Sequence, residues 1–271
     1  MVTDVLVRNN VRTLGPEDGP ALVFAHGFGT DQSIWRRILP AFTERYRVVL
    51  LDHVGSGGSD KASYDSGRYA SLEAYVDDLL EVCARLELRD ATLVGHSVGS
   101  MMAVSAAARD GADRFGRLIL LTASPCYVDH PDQGYEGGFS RGDLDDLFRS
   151  LDSNYLVWAE SMAPVYMNVP DAPELDREVQ GSFGRIGPRV ARDFARVAFL
   201  SDTRHLLSGV LVPTLVLQAT DDVVTPDSVG AYLQENLAHG TLVRLAATGH
   251  FPQSSAPEET AAAMLHFLAA S

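Results

Sequence analysis

The sequence holds 271 residues, 46% of them hydrophobic, enough to bury one large core, yet no apolar run approaches the roughly 18 to 20 residues that span a bilayer. Twenty-two Lys and Arg against 36 Asp and Glu leave a formal charge of −14, a surface that repels phosphate backbones and excludes nucleic acid as a partner. The opening MVTDVLVRNN lacks a basic segment followed by an apolar stretch, so no secretory signal is expected and a cytoplasmic location, away from membranes, is the reading.

Short apolar, β-branched runs alternate with longer helical patterns along the chain, the signature of a parallel sheet covered by helices. Strands are expected at 21–25 (ALVFA), 47–52 (RVVLLD), 91–94 (ATLV), 118–122 (LILLT), 214–218 (TLVLQ) and 242–245. Helices are expected around 33–42, 72–86, 100–108, 227–236 and 258–270. The strands are near-continuously apolar, as in a sheet buried on both faces.

One stretch breaks the rhythm. Residues 127–207 contain no good strand, only glycine-rich GYEGGF and helical segments at 143–151, 153–167, 173–183 and 188–200, rich in Phe, Tyr, Trp and Met. The expected organisation is therefore a core of residues 1–126 and 208–271, interrupted by an all-helical cap at 127–207.

Gly95-His96-Ser97-Val98-Gly99 fits G-x-S-x-G between an expected strand and an expected helix. A serine on so sharp a turn sits in a strained backbone, so the residues two before and two after must be small. The turn lifts the hydroxyl clear of the sheet and aims a helix N-terminus at a developing oxyanion. This is the nucleophile motif of the α/β-hydrolase fold, in which an Asp or Glu and then a His follow the Ser, each after a strand. The run 214–218 leads into Ala219-Thr220-Asp221-Asp222, and 242–245 leads into Ala247-Thr248-Gly249-His250. His250 is thus the expected general base. By position alone, either Asp221 or Asp222 could hold its tautomer. His26-Gly27-Phe28-Gly29 follows the first long strand, so the backbone N–H groups of Phe28 and Val98 are the expected oxyanion donors. His96, at the x position of the motif, is expected to serve as a structural hydrogen-bond donor.

Cys83 and Cys126 form no CxxC pair; Cys83 lies on an apolar helical stretch and Cys126 follows a strand end, where it could line a cavity. No His/Cys/Asp group has metal-ligand spacing and no phosphate-binding glycine loop occurs, so neither metal nor cofactor is expected.

Several stretches are more specific than the fold: GFGTDQSIW (27–35), DHVGSGGSD (52–60), GHSVGSMM (95–102), SPCY (124–127), YEGGF (135–139), FLSDTR (199–204) and QATDDVVTP (218–226). With them the chain resembles, nearly end to end, the RsbQ family of bacterial hydrolases, relatives of the plant karrikin and strigolactone receptors. The resemblance implies a Ser-His-Asp triad under a four-helix, V-shaped cap, and favours Asp222 over Asp221 as the acid. It also implies an apolar pocket lined by Phe139, Trp158 and Phe194. A small ester or lactone is the implied substrate. A protein partner such as a sensor phosphatase, in a stress-response pathway, is the implied signalling context. Three uses of the triad stay open at this point: metabolic hydrolysis, ligand sensing with slow turnover, and a cofactor-free perhydrolase.

Overall fold

The computed structural model describes residues 3–111 and 114–270. Among them, seven strands form one sheet in the order β1-β3-β2-β4-β5-β6-β7. They are β1 (Arg12–Leu14), β2 (Ala21–Ala25), β3 (Arg47–Leu50), β4 (Ala91–His96), β5 (Phe115–Leu121), β6 (Thr214–Thr220) and β7 (Gly240–Thr248). Every pairing is parallel except β1 with β3. All residues of β2 and β4 are buried, so both faces of the central sheet are covered, and these strands read as unbroken apolar runs. The register sets Ala25 beside Gly95 and His96 beside Leu121, which gathers the C-terminal ends of β2, β4 and β5 at one edge. That edge is where open parallel sheets bind ligands.

The helices are α1 (Val5–Arg8), α2 (Leu72–Arg85), α3 (Val98–Asp110), α4 (Arg141–Met167), α5 (Pro173–Phe183), α6 (Pro188–Leu200), α7 (Asp227–Asn236), α8 (Pro252–Ser255) and α9 (Pro257–Ala269). α3 packs on β4 and β5, while α7 and α9 pack on β6 and β7.

Between β5 and β6 run α4, α5 and α6, with α4 packed against both others. α4 opens on a reciprocal cap, in which Ser140 Oγ accepts from Asp143 N–H and the Asp143 carboxylate accepts from Ser140 N–H. Asn154 then leaves helical geometry (φ −157°, ψ 97°) and its side-chain oxygen accepts from Val157 N–H at 3.3 Å, capping the second half. α4 is therefore two helical pieces across a kink, and Pro starts both α5 and α6, where its missing N–H costs nothing. Polar contacts tie these helices to the core. Arg185 Nε donates to Asp31 at 2.6 Å, Arg37 to Glu178 at 2.8 Å, and the Tyr64 and Ser66 hydroxyls to Asp193 at 3.0 Å each.

Beyond shifts of a few residues at strand ends and the short α8, the chain departs from expectation as follows. The helix expected at 33–42 is two short 3-10 turns, Gln32–Trp35 and Leu39–Ala41, because Pro40 lacks an N–H and its ring clashes with a continuing helix. α1 and β1, of four and three residues, are too short to show a periodicity. β7 extends beyond the expected 242–245 at both ends.

Candidate active site

Ser97 joins β4 to α3 with φ 55° and ψ −124°, a left-handed backbone that costs a non-glycine residue about 1 to 3 kcal/mol. The flanking glycines are steric necessities. A Cβ on Gly95 would lie 2.6 Å from Gly99 O and from Ser100 N, and one on Gly99 would lie 2.3 Å from Ala25 O. Ser97 N–H donates to Leu121 O at 3.0 Å and Ser100 Oγ to Gly95 O at 2.9 Å, which holds the turn.

His250 follows β7, and its Nε2 lies 2.9 Å from Ser97 Oγ. Its Nδ1 lies 2.8 Å from Asp222 Oδ2, and the Asp222 side chain is fully buried. The second oxygen, Oδ1, accepts from Val224 N–H at 2.8 Å. Asp221 is exposed and makes the turn (φ 51°) that carries Asp222 inward, so the two neighbouring carboxylates have opposite destinations. With a carboxylate at Nδ1, the proton resides there and Nε2 is free to accept the Ser97 proton.

The backbone of His250 is clamped on both sides. Its N–H donates to Tyr166 O at 2.7 Å, and its carbonyl accepts from His96 Nε2 at 2.8 Å and Thr122 Oγ1 at 3.1 Å. His96 is thus the structural donor expected from the motif. Burial, with His250 nearby, pushes its pKa well below the usual imidazole range, so it stays neutral.

Across from Ser97, Gly27 brings the loop after β2 close: a Cβ there would lie 2.6 Å from His96 Nδ1 and 3.1 Å from Ser97 Cβ. Gly27 O accepts from Thr30 Oγ1 at 3.0 Å and from His26 Nδ1 at 2.9 Å. His53 N–H donates to His26 Nε2 at 3.0 Å, which leaves the His26 proton on Nδ1 and locks the loop. The N–H groups of Phe28 and Val98 donate to no protein acceptor among the described residues. A substrate oxyanion can therefore be served by both, reinforced by the N-terminus of α3.

A narrow cleft of about 20 Å³, room for little more than one water molecule, lies over Ser97 and His250, walled by Phe28, Tyr166, Phe183, Phe199, Val224 and Phe251. Phe139, Trp158 and Phe194, expected to line the pocket, are not among the residues that wall this cleft. They stand one layer behind it. Trp158 packs on Phe28 and Phe183 at ring separations of 6.0 and 5.8 Å, Phe194 on Phe28 at 5.9 Å, and Phe139 on Phe199 at 5.6 Å. Trp158 packs among Tyr155, Tyr166 and Phe183 of the insertion, Phe194 faces Phe28, His53 and Tyr75 outside it, and Phe139 lies ahead of α4 in a bridge with Val128, so none of the three fronts the cleft.

A family model described as the alpha/beta hydrolase fold matches residues 20–257. The chain belongs to the α/β-hydrolase family. Within it, the chain is 40% identical over 259 residues to a strigolactone esterase of Arabidopsis thaliana, covering 95% of each chain. It is 38% identical to the karrikin insensitive 2 receptor IA of Petunia hybrida, over 91% of this chain and 89% of the receptor. A solved structure of a hydrolase from Oleispira antarctica superposes with a TM-score of 0.94 at 36% identity, covering 99% of this chain and 97% of the other. The kinship with plant karrikin and strigolactone proteins read from the motifs therefore holds.

Of this α/β-hydrolase site, the sequence reading missed the cleft residues Tyr166, Phe183, Phe199, Val224 and Phe251 and one residue in contact with the nucleophile. The Tyr127 hydroxyl lies 3.0 Å from Ser97 Oγ, and the residue is buried. Burial pushes the phenol pKa above its ordinary value, against the opposing pull of the Ser97 hydrogen bond, so it stays protonated. With Ser97 donating to His250, Tyr127 is the donor to Ser97 Oγ. The only sequence signal was a tyrosine just after a strand end, in SPCY.

Proposed function

We propose that this chain is a serine hydrolase cleaving small, uncharged esters or lactones, with Ser97 as nucleophile, His250 as general base and Asp222 as the carboxylate that orients it. The observation that carries the reading is the unbroken Asp222–His250–Ser97 hydrogen-bond chain, at 2.8 and 2.9 Å, opening on an apolar cleft. Ser97 Oγ attacks the carbonyl carbon as its proton passes to His250 Nε2. The oxyanion takes hydrogen bonds from Phe28 and Val98 N–H, and the imidazolium, stabilised by Asp222, returns the proton to the leaving alcohol oxygen. Water, deprotonated by His250, then attacks the acyl-serine and releases the acid. In this reading residues 127–207 are a cap inserted between core segments 1–126 and 208–271, and helices α4 to α6 limit what reaches Ser97.

The test is p-nitrophenyl acetate hydrolysis and labelling by a fluorophosphonate probe. Wild-type protein should do both, and Ser97→Ala should lose labelling and at least about a thousandfold in kcat/KM. A Ser97→Ala protein that still turns over ester at more than a tenth of the wild-type rate sinks the assignment.

The similarity to a karrikin receptor supports a second reading of the same site, slow turnover that reports a ligand to a protein partner; the resemblance to the RsbQ family suggests a sensor phosphatase in a stress-response pathway as that partner. Ligand-dependent capture of a purified sensor phosphatase, with turnover slower than once a minute, would favour it. No helix among the described residues is long and apolar enough to cross a membrane.

A further inference from the structure

Away from the triad, three side chains with metal-ligating atoms converge on the segment that leads into Tyr127. Cys126 Sγ lies 3.6 Å from His130 Nε2, and the ligating atoms of Cys126, His130 and Asp202 all lie within 4.8 Å of one another. Tetrahedral zinc, bonded at about 2.3 Å to sulfur and about 2.0 Å to imidazole nitrogen, sets those two atoms about 3.5 Å apart. The Cys126–His130 pair already has that spacing.

The backbone holds all three ligands in place. Cys126 and Asp202 are partners in an antiparallel bridge, as are His130 and Tyr135. Thr203 N–H donates to Pro125 O at 2.7 Å, and the Tyr135 hydroxyl to Cys126 O at 2.5 Å. Binding an ion would therefore require little ordering of the chain. Cys126 is buried, His130 half-buried and Asp202 exposed, so an ion would be anchored from within and reachable from solvent. A thiolate with an imidazole selects zinc-class ions over magnesium or calcium, which prefer all-oxygen sites. Arg204 competes for Asp202, donating to both of its oxygens at 2.6 to 3.1 Å. Oδ1 also accepts from the Arg204 backbone N–H at 3.0 Å, so an ion on Asp202 would displace a guanidinium N–H from one of the carboxylate's four lone-pair positions.

We propose that Cys126, His130 and Asp202 form a three-ligand site for a thiophilic divalent cation of the zinc class, with its fourth position open to water. The site stands apart from the hydrolytic reading but touches it. Tyr127, the next residue after Cys126, contacts Ser97 Oγ, so a bound ion would fix the segment that positions this hydroxyl.

Cobalt(II) titration of tag-free, metal-stripped protein, followed by optical absorption, tests this without reference to activity. The expected result is thiolate-to-cobalt charge-transfer absorption with tetrahedral visible bands, saturating at one ion per chain and displaced by zinc. Cys126→Ser should abolish the charge-transfer band, and His130→Ala, at a half-buried position, should weaken cobalt affinity at least tenfold. Cys83→Ser should change nothing, since Cys83 is fully buried elsewhere in the core. Circular dichroism confirms that each variant is folded. Absence of the charge-transfer band at saturating cobalt, or its survival in folded Cys126→Ser, overturns the proposal.

Discussion

Asp222→Asn is the sharpest test of the triad, because the structure dictates how the new amide must sit. Asp222 Oδ1 accepts from Val224 N–H at 2.8 Å, and only an oxygen can stay there. The asparagine NH₂ must then occupy the Oδ2 position, 2.8 Å from His250 Nδ1. An amide donor at Nδ1 forces that nitrogen to accept and moves the imidazole proton to Nε2. There, 2.9 Å from Ser97 Oγ, it donates where catalysis requires it to accept. Abstraction of the serine proton must then proceed through a disfavoured tautomer without its counter-charge. The expected loss is about 10³- to 10⁴-fold in kcat/KM, equivalent to about 4 to 5.5 kcal/mol of transition-state stabilisation. Asp221→Asn is the internal control. Its carboxylate is exposed, and asparagine tolerates the positive φ of 51° there, so activity should stay within about threefold of wild type. The assay is p-nitrophenyl acetate hydrolysis under conditions where chemistry limits the rate, with far-ultraviolet circular dichroism to confirm folding. A folded Asp222→Asn retaining more than a tenth of wild-type kcat/KM, or a greater loss in Asp221→Asn, refutes the reasoning.

Tyr127→Phe removes the donor that holds Ser97 Oγ in its attacking position and should lower kcat/KM about fivefold, equivalent to about 1 kcal/mol; an unchanged value would show the contact to be idle, and a higher one that it restrains the nucleophile. A cleft walled by Phe28, Phe183 and Phe199 should favour two- to four-carbon p-nitrophenyl esters over ten-carbon ones by at least about tenfold, and Phe199→Leu should narrow that ratio. Equal hydrolysis of long chains by wild type would mean an open cleft. The last prediction concerns acid stability. Burial alone would raise the Asp31 carboxyl, but hydrogen bonds from Arg185 and Ser33 outweigh it and hold the pKa at about 2. The unfolded value is about 3.9, so its stabilisation, about 1 to 2 kcal/mol after allowing for the half-exposed Arg185, is complete above about pH 5 and is lost as pH falls through 2. In urea unfolding, the wild-type advantage over Asp31→Asn should be roughly halved between pH 6 and pH 3; a gap that widens on acidification would contradict the assigned pairing.

Features governed by local sterics were readable from the sequence. The G-x-S-x-G turn is one, since the glycines are required by atoms of their own turn and of the adjacent β2 strand. Buried strands are another, because a strand covered on both faces can only be a run of apolar residues. The 33–42 segment misled because its apolar spacing suits a helix, while a single Pro40 divides it into separate turns. Within the insertion, helix positions were readable but facing directions were not. Asn154 breaks α4, so the faces of its two halves cannot be related by a single helical period, and Trp158 ends one layer behind the cleft.

The same limit governs the site. That His250 and an aspartate follow β7 and β6 could be read from chain order, but Asp221 and Asp222 differ by one residue, and the turn at φ 51° selects between them. Only resemblance to a known family distinguished them in advance. The SPCY stretch poses the same problem without such help. In extended chain, successive side chains point to opposite sides. Tyr127 therefore reaches Ser97 while Cys126, its neighbour, reaches His130 and Asp202. His130 lies four residues from Cys126, but Asp202 arrives from the far end of the insertion, across a bridge that no local pattern specifies. Ligand spacing along a sequence detects sites built from one or two short segments. A site completed by a residue more than seventy positions away becomes visible only once the chain has folded.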